Sequence, residues 1–261
     1  MLLGPDVYQN WHNEKARGMK IIIAPDAKAL ARTAAELFTA LARTSIEERG
    51  QFVVALSGGS TPRQLYIRLA DPEFSTQIPW RAVHLFWGDE RCVPPDHPES
   101  NYRMVKESLQ VSIPSANIHR IAGELSPHEA AALYEQELRT FFGNTPLFDL
   151  VLLGLGEDGH TASLFPSSPA LHEQFRWVVA VSHNVPPPPL VPRVTLTLPV
   201  INRAREVLFL VSGVAKAERV AQILGHASSS TELPAGAVNP SDGNLTWLLD
   251  APAAALLKNN S

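Results

Sequence analysis

The stretch 148-FDLVLLGLGEDGHTASLFP-166 runs from an apolar segment with one acid straight into a turn built on glycine. An apolar run this short and this uniform reads as a strand buried on both faces. The same form recurs at 20-KIIIA-24, 51-QFVVAL-56, 82-AVHLFW-87, 177-WVVAV-181 and 206-EVLFLVS-212. Between the first two of these runs, Leu30, Ala34, Leu37, Phe38 and Leu41 share one face of a helix. Asp26 is placed to cap that helix. Further helices are expected near 62–70, 102–109, 127–142 and 215–224. Strands alternating with helices predict an α/β fold with a mostly parallel sheet and helices on both faces. The segment 193-RVTLTL-198 alternates differently and is expected to be a strand outside the parallel set.

The chain has 261 residues and is 45% hydrophobic, enough for a sizeable core. A single α/β domain over 19–257 is expected, after an N-terminal extension of residues 1–18. The net charge of -4 gives no reason to expect nucleic acid as a partner. One cysteine, Cys92, excludes an internal disulfide and a cysteine-rich metal site, and suits a reducing compartment. The first residues lack a secretory pattern. Nor is there a run of about 18 apolar residues that could span a bilayer. A soluble cytoplasmic protein without a membrane partner is the expectation. The prolines of 186-PPPPLVP-192 predict a rigid loop of polyproline type.

Ligands of parallel sheets bind beyond the carboxyl ends of the strands, so the turns that follow each run carry the functional reading. After 51–56 comes 57-SGGSTPRQL-65. Thr61 suits an N-cap, Pro62 a first helical position and Gln64 the far end of a capping box. The turn is therefore either a well-made helix start or a cradle for phosphate at a helix N-terminus. After 82–87 comes 88-GDERCVPPDHPESNY-102, where Arg91 is shaped for an anionic oxygen and Asp89 or Glu90 could orient it. Cys92 reads as a packing residue. In the opening stretch, His160 is suited to proton transfer near neutral pH, with Asp158 placed to orient the ring. No second histidine follows at helical spacing, which argues against a metal there. Ser163 is a weaker nucleophile candidate, lacking its usual motif. After 206–212, Lys216 of 212-SGVAKAERV-220 falls in a first helical turn, where the helix dipole disfavours a cation unless an anion offsets it.

Taken together, SGGSTP, GDER with ESNY, GLGEDGHTASLFP, RVTLTLP and SGVAKA resemble the 6-phosphogluconolactonase family, in that family's order from about residue 50 to 220. The resemblance implies a Rossmann-like fold, hydrolysis of 6-phospho-D-glucono-1,5-lactone to 6-phosphogluconate, and no cofactor. It implies His160 as general base, Arg91 as a substrate contact and Lys216 as a phosphate or substrate contact. Ser57, Gly58, Gly59, Ser60 and Thr61 would line the same pocket, and Arg193, opening RVTLTLP, would add charge near the phosphate. A glucosamine-6-phosphate deaminase or isomerase on the same fold is the nearest alternative, with Asp89 placed to move a proton. It is disfavoured by the lack of a glutamate soon after His160. A sugar-phosphate sensor without chemistry is more distant, since it needs no base.

Overall fold

The computed structural model describes residues 19–183, 188–225 and 233–257, together with the backbone of 9–11. Its strands are β1 (Gln9–Trp11), β2 (Met19–Ala24), β3 (Phe52–Leu56), β4 (Val83–Trp87), β5 (Asp89–Arg91), β6 (Leu150–Leu153), β7 (Val178–Val181), β8 (Arg193–Leu196), β9 (Glu206–Val211) and β10 (Asn244–Asp250). The helices are α1 (Ala27–Arg49), α2 (Ser60–Ala70), α3 (Pro72–Ser75), α4 (Asn101–Ser108), α5 (Pro127–Phe142), α6 (Leu198–Ile201) and α7 (Ala217–Leu224). The main sheet has the order β1-β2-β10-β9-β6-β3-β4, parallel throughout except for β1. Its central strands β3 and β6 are buried along their length, as the uniform apolar runs require. This is the expected α/β fold.

The strand order changes direction at β3. The chain goes from β3 outward to β4, and then returns to lay β6 on the other side of β3. Loops leaving adjacent strands in opposite directions open a crevice at their carboxyl ends. The turns at 57–61 and 154–160 flank that crevice.

Four local expectations need correction. The run 177–181 does form a strand, but β7 pairs antiparallel with β8, and β8 with β5, in a separate small sheet. The segment 193–198 lies outside the parallel set, as expected. Strand β10 has no counterpart among the expected strands, yet it lies between β2 and β9. Its polar Thr246 hides the pattern, and this hydroxyl is satisfied by donating to Glu206 Oε1 at 2.7 Å. Helix α2 begins at Ser60, and Thr61 is not its cap. Gly59 takes the N-cap position at φ 101°, a left-handed value that favours glycine, so the helix starts early and Pro62 becomes its third residue. No side chain among the described residues caps it. Finally, Lys216 is not in the first turn of α7 but immediately precedes it, in a short 3-10 turn at Val214–Lys216. Of the proline loop 186–192, residues 186 and 187 lie outside the described residues, as do 1–8 and 12–18 of the N-terminal extension. Residues 9–11 pair antiparallel with β2.

Candidate active site

The segments that follow β3, β4, β6 and β9 each contribute a wall of a cavity of about 250 Å³. From the turn after β3 come Ser57, Gly58, Gly59, Ser60 and Thr61. The turn after β4 supplies Asp89, Arg91 and Asn101, that after β6 supplies His160 and Thr161, and that after β9 supplies Lys216. Arg193 enters from β8. Asp158 stands behind His160.

The first wall is an uncapped helix start. Ser57 is pinned by Tyr66, whose hydroxyl accepts from Ser57 N at 3.1 Å and donates to Ser57 O at 2.8 Å. Burial raises the Tyr66 phenol well above its ordinary range. The first amides of α2 point out of a positive helix end with no side chain among the described residues capping them.

The histidine wall is tightly defined. Asp158 Oδ1 meets His160 Nδ1 at 2.5 Å and also accepts from His160 N at 3.1 Å. Burial alone would raise the Asp158 carboxyl, but its bonds to the His160 ring and backbone and the charge beside it hold it below its ordinary range. Gly156 makes this pairing possible, because a Cβ there would overlap both the imidazole and the Asp158 carboxylate. On the far side, Phe165 lies 4.6 Å from the His160 ring, centroid to centroid. With Nδ1–H given to Asp158, Nε2 is the acceptor.

The cations are held in different ways. Lys216 Nζ is 3.8 Å from Glu157 Oε1, a loose pairing with an exposed partner. The lysine turn is shaped by Asp250, at the end of β10, which accepts from Ser212 Oγ at 2.5 Å and from Gly213 N at 3.0 Å. Arg91 Nη1 donates to Glu99 O at 2.7 Å, and its buried Nε has no acceptor among the described residues. Arg193 is 5% exposed and donates to Val191 O and Pro189 O. Burial pushes its guanidinium down from the ordinary arginine value, while Asp89 pulls it up.

Some sequence-level ideas fail here. Ser163 is fully buried and donates to Asp89 Oδ2 at 2.6 Å, so it is no nucleophile. Asp89 does not orient Arg91. Its other oxygen accepts from Asn101 Nδ2 at 3.2 Å. Glu90 meets Arg91 only through the backbone, accepting from Arg91 N at 2.7 Å. Burial, with Glu90 adding its charge, pushes the Cys92 thiol up to about 11, which suits a packing residue. Asn101 and Asp250 were not among the expected site residues. ESNY carries Asn101 in the right motif, but the partner of Asp250 is 38 positions away.

With this geometry in place, similarity to known proteins becomes decisive. The model of a family described as glucosamine-6-phosphate isomerases/6-phosphogluconolactonase matches residues 25–247. The chain belongs to this family. The sequence is 46% identical to a 6-phosphogluconolactonase of Synechocystis sp. over 221 residues, 82% of this chain and 88% of that one. It is 43% identical to one of Mycobacterium tuberculosis over 250 residues, covering 91% and 98%. Among solved structures of family members, the 6-phosphogluconolactonase of Trypanosoma brucei superposes with a TM-score of 0.81 at 30% identity, covering 91% of this chain and 98% of that one. A monomeric glucosamine-6-phosphate deaminase shares the fold, with a TM-score of 0.76 at 21% identity over 90% and 99%.

Proposed function

We propose that the protein hydrolyses 6-phospho-D-glucono-1,5-lactone to 6-phospho-D-gluconate, the second step of the oxidative pentose phosphate pathway. One observation carries the reading: a carboxylate-backed imidazole, an uncapped helix start and three cations face a single cavity. Kinship with 6-phosphogluconolactonases supports it.

The chemistry follows from the ester. Water attacks C1 while Nε2 of His160 takes its proton. Charge grows on the carbonyl oxygen, where Arg91 offers donors. The C1–ring oxygen bond then breaks, and the imidazolium returns the proton to the departing hydroxyl. Asp158 stabilises the imidazolium in between. Lys216, Arg193 and the amides of Ser57–Thr61 hold the phosphate, so remote binding energy fixes the orientation of C1. The product acid ionises at neutral pH and releases one proton. No step calls on a cofactor. We take residues 19–257 as the catalytic domain and a reducing compartment such as the cytoplasm as its setting, in keeping with the lone Cys92.

A deaminase reading would need a carboxylate free to move a proton between C1 and C2. Among the described residues, Asp89 is the carboxylate that lines the cavity, and both its oxygens already accept hydrogen bonds. Stopped-flow proton release with freshly generated lactone tests the proposal, because the substrate also opens spontaneously. Proton release far above the spontaneous rate is expected. A rate equal to the spontaneous one, or ammonia release from glucosamine-6-phosphate instead, would overturn it.

A further inference from the structure

Glu90 is an acid at 2% exposure that does not line the cavity. Its Oε1 accepts from Arg91 N at 2.7 Å and from Asn101 N at 2.7 Å. Its Oε2 accepts from Tyr102 N at 2.8 Å and from Ser100 Oγ at 3.1 Å. A carboxylate brought in from β5 therefore does the work of a cap for the first two amides of α4. An ordinary cap would be satisfied with that. This one also ties down the peptide N–H of Arg91, the residue next to it in the chain.

Both tethered residues line the cavity. Asn101 carries the effect further. Its Nδ2 donates to Asp89 O at 2.9 Å, and its side chain fills the place that a Cβ on Gly58 would need. Asp89 in turn accepts from Ser163, three residues after His160. Displacing the start of α4 would shift Arg91, unseat Asn101 from the phosphate turn and loosen the carboxylate that anchors the histidine segment.

We infer that Glu90 is a positioning residue, a buried brace that sets Arg91 and Asn101 against the turn at Gly58 before any ligand arrives. The inference rests on the reading of this cavity as the lactone site. Glu90→Gln is the informative change, because an amide keeps one accepting oxygen and must turn an NH2 group toward one of the two donor pairs. A misplacement of about 1 Å costs on the order of 10²-fold in a reaction that depends on orientation. Glu90→Gln is expected to lower kcat/KM at least about tenfold, mostly in kcat. The stability control is Asp26→Ala, which weakens the cap of α1 at a residue that does not line the cavity. It should lower Tm while leaving kcat/KM within about twofold, because among the described residues Asp26 shares no hydrogen-bond partner with the site residues. Near-normal kcat/KM in Glu90→Gln, or an equal loss in Asp26→Ala, would overturn the inference.

Amide hydrogen exchange on the unmodified protein decides the matter even if Glu90→Gln fails to fold. A preset brace requires the amides of Arg91, Asn101 and Tyr102 to be protected in the free protein and unchanged on adding 6-phosphogluconate. Fast exchange in the free protein, with protection appearing only on binding, would sink it. Absence of lactonase activity in the unmodified protein would instead remove the functional reading, leaving the exchange result to judge the brace alone.

Discussion

The His160 imidazole is gripped at Nδ1 by Asp158 and on its face by Phe165, which leaves Nε2 as its working edge. Replacing it with alanine removes a proton acceptor and nothing that the core depends on. General acid–base help contributes about 10²–10⁴-fold. His160→Ala is expected to lower kcat by that factor while the circular dichroism and Tm stay near those of the unmodified protein. Lys216 calls for a different outcome. Among the described residues its Nζ pairs only with the exposed Glu157, at 3.8 Å, so it is available to a phosphate. Lys216→Ala should raise KM about tenfold or more with kcat little changed, since a charge-assisted contact contributes about 1.5–3 kcal/mol. Steady-state kinetics with fresh lactone check both. A fall in kcat alone would contradict a phosphate-holding role. At this scale the sequence was most legible where residue type and strand-end position coincide, as for His160, Arg91 and Lys216. It was least legible where a partner is distant. Nothing in GDER says that Glu90 reaches the backbone at 101 and 102, because that contact exists only once α4 has folded back onto β5.

Among the elements, α1 follows its sequence signals closely. Asp26 accepts from Ala29 N at 2.8 Å, and Gly50 ends the helix at φ 78°. Asp26→Ala should therefore destabilise the fold by about 1 kcal/mol, measurable as a lower midpoint in urea. Helix α2 departs from the signals for a reason with chemical meaning. Thr61 has the better capping side chain, but a capped start would have spent an amide on Thr61. With Gly59 at the cap, the amides stay available to a ligand. Gly59→Ala would force a Cβ into a left-handed backbone at φ 101°. Weakened inhibition by inorganic phosphate is the expected result, with a modest fall in Tm. Strand β10 escaped detection because NLTWLLD interleaves polar residues with a three-residue apolar core, and only Glu206 on the neighbouring strand makes Thr246 acceptable inside the sheet.

Across the whole molecule, the alternation of strands and helices was enough to yield the parallel sheet and to put four turns at one rim. It could not give the strand order, which depends on pairings such as β2 with β10 that are far apart in the chain. Glu206 lies at the amino-terminal end of β9, the end opposite the rim that carries the turns. Burial raises its carboxyl above the ordinary range, partly offset by hydrogen bonds from Thr246 and Asn244 and by the charge of Lys20. The folded chain holds this proton more tightly than the unfolded chain, so the cost of the ionised form is absent below the unfolded value of about 4.3 and complete above the folded value. Glu206→Gln should raise Tm at pH 7, with the gain fading as the pH falls toward about 4. A gain that persists unchanged in acid would point to packing instead.

The position of β10 also sets an order of events during synthesis. Among the described strands, β2 joins the other parallel strands only through β10, and Asp250 at its end shapes the turn that presents Lys216. A nascent chain whose residues 244–250 have not yet left the ribosome thus has β2 unpaired on that side and its lysine turn unshaped. Competence for catalysis arrives only once β10 has emerged, and stop codons ahead of Asn244 should yield chains with no activity at all.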